Sequence, residues 1–166
     1  MLHLQPEIRS IPKYLVSSAV SCNTALPMKA RRSPDPVLVV DDHSDGRDML
    51  VEYLQFKGFN VHEAANGAAA LALASTLRPR VILLDLGMRD LDGFETARRL
   101  RANVSTANAF IVAVTARVFA TDREEAVRAG CDAFIAKPFD LTALADYMDR
   151  VLVNGARSCK SSPFEA

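Results

Sequence analysis

From Val37 onward, short apolar runs alternate with stretches whose apolar residues recur at helical spacing. "VLVV" (37–40), "VILLDL" (81–86), "FIVAVTA" (110–116) and "AFIAKP" (133–138) are near-continuous apolar runs, the pattern of strands buried on both faces of a parallel sheet. "FNVHEA" (59–64) alternates apolar and polar positions and reads as an edge strand. Between them lie helical patterns. "GRDMLVEYLQFKG" (46–58) carries Met49, Leu50, Tyr53, Leu54 and Phe56; "GAAALALASTL" (67–77) is Ala-rich; 93–101 is Arg-rich; and 119–129 closes on Gly130 as a C-terminal glycine. Asp140 is placed to cap "LTALADYMDRVL" (141–152), where Leu141, Leu144, Ala145, Met148, Val151 and Leu152 form one stripe. Five strand–helix units with right-handed crossovers predict an α/β sheet with helices on both faces. In such sheets chemistry belongs at the carboxyl ends of the strands, where strand order reverses.

The first 33 residues break that rhythm. Pro6, Pro12 and Pro27 interrupt any long helix. Five basic residues stand there against one acid, although the whole chain is neutral. We read 1–33 as a poorly ordered basic tail, 34–153 as the folded domain and 154–166 as a short polar tail. Met28 is an alternative start. "YLVSSAV" (14–20) is too short and too rich in serine to act as a secretory signal. No apolar run approaches the ~20 residues that span a bilayer. Cys22, Cys131 and Cys159 are widely spaced and odd in number, which argues against a disulfide framework and a zinc site and fits a reducing, cytoplasmic setting. Neutral net charge gives no support for nucleic-acid binding, and "RRLR" (98–101) reads as a solvated helix face.

Charged and hydroxyl groups do appear at the predicted strand ends: Asp41 and Asp42 after the first strand, Asp85 in the third, Thr115 in the fourth and Lys137 in the fifth. Two carboxylates ~4 Å apart repel by ~4 kcal/mol at an effective dielectric near 20. A raised pKa or a hard cation relieves that repulsion. Oxygen donors without a Cys or His cluster suit Mg²⁺. Lys137 supplies a cation for Asp85 or for a phosphoryl oxygen, and Thr115 supplies one more donor. A carboxylate nucleophile, a metal and a cationic clamp together describe phosphoryl transfer.

From about Pro36 to Val153 the chain resembles the receiver domain of two-component response regulators, in particular the stand-alone, chemotaxis-regulator-like kind. The matching residues are Asp41/Asp42 after "VLVV", Asp85 in "VILLDLGM", Asp92-Gly93, "TA" at 115–116 and "KPF" at 137–139. The spacings also match: 43 from Asp42 to Asp85, 30 on to Thr115 and 22 on to Lys137. The resemblance implies a flavodoxin-like doubly wound (βα)5 fold with a five-stranded parallel sheet in the order 2-1-3-4-5. It implies Asp85 as phosphoacceptor from a histidine kinase or histidine phosphotransfer protein. Mg²⁺ (or Mn²⁺) would be held by Asp42, Asp85 and the Gly87 carbonyl, with Asp41 acting through water. Lys137 would bind the aspartyl phosphate, and Thr115 and Phe134 would form the switch. The readout surface would be roughly 117–153, open to a target protein or to a second copy as a homodimer. Neither nucleic acid nor membrane is implied as a partner. About 13 residues follow the last predicted helix, too few for an output domain, so a single-domain regulator is expected.

Two positions depart from the family pattern. Arg89 stands where proline is usual, and His43 where an acidic residue is common. His43 reads first as an exposed loop histidine and only second as a metal ligand. Phe134 suits core packing and a switch role equally. Cys131 reads as a small buried residue before the last strand. The rival function is a receiver-like protein–protein adaptor that works without phosphate, favoured by Arg89. An aspartyl-nucleophile phosphatase is weaker, because the second acid such enzymes carry two positions on is Gly87 here.

Overall fold

The computed structural model describes residues 35–116 and 119–154. The predicted tail 1–33, the Met28 start, Cys22, Cys159 and the stretch after Asn154 lie outside the described residues. Five strands and five helices alternate: β1 (Pro36–Val40), α1 (Ser44–Phe56), β2 (Asn60–Ala64), α2 (Gly67–Leu77), β3 (Val81–Leu84), α3 (Gly93–Ala102), β4 (Phe110–Thr115), α4 (Ala120–Ala129), β5 (Ala133–Ala136) and α5 (Leu141–Asn154). All pairings are parallel and the sheet order is β2-β1-β3-β4-β5, the flavodoxin-like arrangement.

The period of two along each strand sorts the core into two layers. Val37, Val39, Val81, Leu83, Phe110, Val112 and Val114 point to one face, where they meet Leu50, Val51 and Leu54 of α1 and Leu144, Met148 and Val151 of α5. Leu38, Val40, Ile82, Leu84, Ile111 and Ala113 point to the other, against Ala70 and Ala74 of α2, Phe94, Ala97 and Leu100 of α3, and Ala126 and Ala129 of α4. Strands buried on both faces gain nothing from polar positions, which is why β1 and β3 are apolar throughout and β4 is apolar up to the Thr115 that ends it.

β5 departs from the expectation of burial on both faces. It is the second edge of the sheet, and only Ile135 is fully buried. In α1 the apolar stripe is wider than the sheet can cover. Met49 and Phe56, seven residues apart on one side, are 56% and 73% exposed. α5 buries Tyr147 as well as its predicted stripe from Leu144 to Leu152, with Leu141 only half-buried; the Tyr147 ring lies 6.4 Å from that of Phe110. The caps follow expectation: Asp140 Oδ1 accepts the Ala143 N–H at 2.7 Å, and Gly130 ends α4 at φ 97°, a conformation that favours glycine. Cys131 is buried, and desolvation pushes its thiol up to about 12.

Candidate functional site

The sheet ladder continues one residue beyond the strands, and that extension aligns the site. The Asp85 N–H donates to the Val40 carbonyl at 2.9 Å, and the Asp41 N–H to the Ala64 carbonyl at 3.3 Å. On the far side, the Lys137 N–H donates to the Thr115 carbonyl at 2.8 Å. Asp41, Asp85, Thr115 and Lys137 are thus fixed by backbone register before any side chain is placed. The Lys137–Pro138 peptide is cis. Behind Asp85, the first residue of α3 lies so close that a Cβ on Gly93 would collide with the Asp85 carbonyl oxygen and the Leu86 Cα. That close approach explains why glycine begins α3.

Lys137 bridges the two buried carboxylates. Its Nζ lies 2.7 Å from Asp41 Oδ2 and 3.0 Å from Asp85 Oδ2. The other oxygen of each accepts a backbone N–H at 2.8 Å, from His43 for Asp41 and from Gly87 for Asp85. Both aspartates are only 6% exposed. Burial works against the charge of Lys137, but the hydrogen bond it donates to Asp41 and the charge of Asp85 outweigh it and raise its pKa above 10.5.

Asp42 is held differently. Its Oδ2 accepts the Arg89 Nε–H at 3.0 Å. Its Oδ1 is 2.9 Å from His43 Nδ1 but out of hydrogen-bonding alignment, and is buried without a hydrogen-bond donor. Burial alone would raise the Asp42 pKa; the Arg89 hydrogen bond and the positive character of His43 and Arg89 bring it below 3.8. Asp41, Asp42, His43 and Asp85 each offer one ligand atom within 4.8 Å of one another, so a cation could be held there.

Thr115 is fully buried at the end of β4, opposite Ala136. Phe134 pairs with Ala113 in β5, packs on the α2–α4 side of the core while partly exposed, and carries the Arg123 guanidinium 6.0 Å above its ring. Sequence reasoning missed Arg47, whose Nη1 donates to the Asp41 carbonyl at 2.8 Å while its Nε meets Glu63 at 3.1 Å. Only its place in the first turn after the acidic pair could have pointed to it. A cavity of about 230 Å³ opens beside the cluster, lined by Asp41, Lys137, Met49, Leu50, Pro138 and Phe139 among others. "RRLR" is not uniformly solvated. Arg101 donates to the carbonyls of Ala107, Ala109 and Gly130 and to Asp132, tying α3 to the strand starts of β4 and β5.

A five-stranded parallel sheet in this order, with acids at the ends of β1 and β3 and a lysine after β5, defines a receiver. The chain belongs to the response regulator receiver domain family, whose model matches residues 37–149. Among curated proteins it is 39% identical over 103 residues to the transcriptional regulatory protein SrrA of Staphylococcus aureus, covering 62% of this chain and 42% of that one. The chain therefore spans less than half the length of the curated relatives it matches. Among solved structures, the chemotaxis protein CheY4 of Vibrio cholerae aligns at TM-score 0.69 and 32% identity, covering 72% of this chain and all of that one. The receiver domain of a sensor histidine kinase from Pseudomonas aeruginosa PAO1, described with a magnesium ion coordinated in its active-site cleft, aligns at TM-score 0.67 and 28% identity over 74% of this chain and all of that one. No helix among the described residues is long and apolar enough to cross a membrane.

Proposed function

We propose that this chain is a phosphoacceptor switch of a two-component phosphorelay, with Asp85 as the residue phosphorylated. The observation that carries this reading is the Lys137 ammonium held between Asp41 and Asp85 at the strand ends of a receiver-family chain. An Asp85 carboxylate oxygen forms a bond to the phosphorus of a phosphohistidine on a histidine kinase or phosphotransfer protein. The donor's phosphorus–nitrogen bond breaks, and its electron pair returns to the imidazole. Lys137, whose raised pKa keeps it charged at neutral pH, then pairs with the oxygens of the aspartyl phosphate.

A hard divalent cation fits the donor set: three carboxylates, one of which has a buried oxygen without a hydrogen bond. Asp42, Asp85 and the Gly87 carbonyl would hold Mg²⁺ or Mn²⁺, with Asp41 joining through water. When bound, the cation supplies positive charge for the phosphoryl oxygens. The chain turns over no external substrate; its chemistry is limited to its own phosphorylation and hydrolysis.

The aspartyl phosphate carries roughly −1.5 to −2 charge where the Asp85 carboxylate carried −1, and Thr115 with Phe134 relays the change across β4 and β5. Output passes through α4, β5 and α5 to a target protein or a second copy. Residues 34–153 form the receiver, and the setting is the cytoplasm. The test is incubation with acetyl phosphate with and without Mg²⁺, read by intact mass beside Asp85→Asn. Base-labile, Mg²⁺-dependent addition of one phosphoryl group, lost in the variant, is expected. A control receiver labelled in parallel while this chain is not would favour the second reading, a phosphate-independent adaptor. The Arg89–Asp42 pair is the observation on its side.

A further inference from the structure

Five of the six carboxylate oxygens of Asp41, Asp42 and Asp85 accept a hydrogen bond. The exception is Asp42 Oδ1. The donors are of two kinds. Lys137 and the His43 and Gly87 N–H groups are fixed by strand register or by the turn that carries them. Arg89 belongs to the loop between β3 and α3, and its side chain is 79% exposed while Asp42's is 11% exposed. Three negative charges thus meet two full positive ones, and the more exposed of the two sits on the carboxylate with an oxygen to spare.

A divalent cation drawing on Asp42 would meet the guanidinium at the same carboxylate. Like charges a few ångströms apart repel, and exposed arginine pairs are weak enough to open. We propose that Arg89 is a resident counter-cation of this site, displaced from Asp42 when a divalent cation of the Mg²⁺ or Mn²⁺ class binds. The inference rests on the cation-site reading above. Its consequence is an exchange rather than a simple addition: the apo site is already partly neutralised, cation affinity is lowered, and cation binding frees a guanidinium on the loop that begins at Asp85.

The test uses the full chain. Mg²⁺ is titrated calorimetrically into wild type and Arg89→Ala, and the Arg89 Nε–Hε resonance, assigned by its absence from the variant, is followed by NMR. Because Arg89 is an exposed loop residue, the variant is expected to stay folded, with a thermal midpoint lowered only by the small amount that loss of an exposed ion pair causes; the midpoint is measured alongside. The expected result is a Kd lower in Arg89→Ala by roughly twofold to fivefold, with the wild-type Arg89 resonance moving to saturation at the calorimetric midpoint. Equal Kd values overturn the proposal. So does a tighter Kd with an unmoved Arg89 resonance, since that leaves only long-range repulsion. If Mg²⁺ binds neither protein, the cation-site reading fails and the proposal falls with it, whereas equal binding by both leaves that reading standing.

Discussion

The acidic cluster has two halves that carry their charge in opposite ways. Asp41 and Asp85 are buried, share one ammonium 2.7 and 3.0 Å away, and each close their second oxygen on a backbone N–H. Asp42 leans on Arg89, an exposed loop residue, and on His43, whose side chain is 68% exposed. The first half is built by the sheet, since ladder bonds to Val40 and Thr115 set its spacing. The second half rests on exposed side chains, beside one backbone N–H from Arg89. A site made this way can keep Asp85 and Lys137 in place while its Asp42 edge changes partners.

The largest effect is expected from breaking the first half. Lys137→Met leaves two buried carboxylates facing each other. Removing one partner of a buried ion pair costs about 3–5 kcal/mol; Lys137 is 30% exposed, so about 1–3 kcal/mol is the expected loss by urea unfolding at pH 7. A loss no larger than that of Arg89→Ala would remove the distinction between the halves.

Alkaline pH sharpens the same contrast. The folded pKa of Lys137 is raised above 10.5, so the lysine's contribution is fully present below that value and is lost as pH rises through the folded pKa. The stability gap between wild type and Lys137→Met is therefore expected to stay level from neutral pH to about 10 and to narrow above it, as followed by urea midpoints across the range. A gap that narrows between pH 6 and 9 would point to a different titrating group.

The first half was legible in the sequence and the second was not, for a physical reason. Strand order and register follow from apolar runs and crossover handedness, and they bring Asp41, Asp85, Thr115 and Lys137 to one edge whatever their side chains do. The Arg89–Asp42 contact joins residues 47 apart through a loop conformation and a long flexible side chain, and neither has a periodic signature. Arg101 was misread for a similar cause. Its neighbours Arg98 and Arg99 do pair with Glu95 on the surface, but Arg101 turns inward to carbonyls that only the tertiary fold assembles. The exposure of Met49 and Phe56 shows the limit of periodicity in α1: spacing identifies apolar positions, while the width of the sheet decides how many are covered.

The smallest effect belongs to Arg89→Ala in the absence of divalent cation. An exposed arginine on a carboxylate contributes about 0–1 kcal/mol, so a loss near 0.5 kcal/mol at low salt is expected from urea unfolding. The folded pKa of Asp42 lies below 3.8, so its contribution is present above that value and is lost as pH falls through the folded pKa. The wild-type advantage is accordingly expected to vanish in acid, and also near 1 M salt, where the screening length is ~3 Å. The Lys137 gap, shielded by burial, is expected to survive the same salt. If both gaps collapse together, the cluster is one solvated network, and the division between a fixed half and an exchangeable half does not hold.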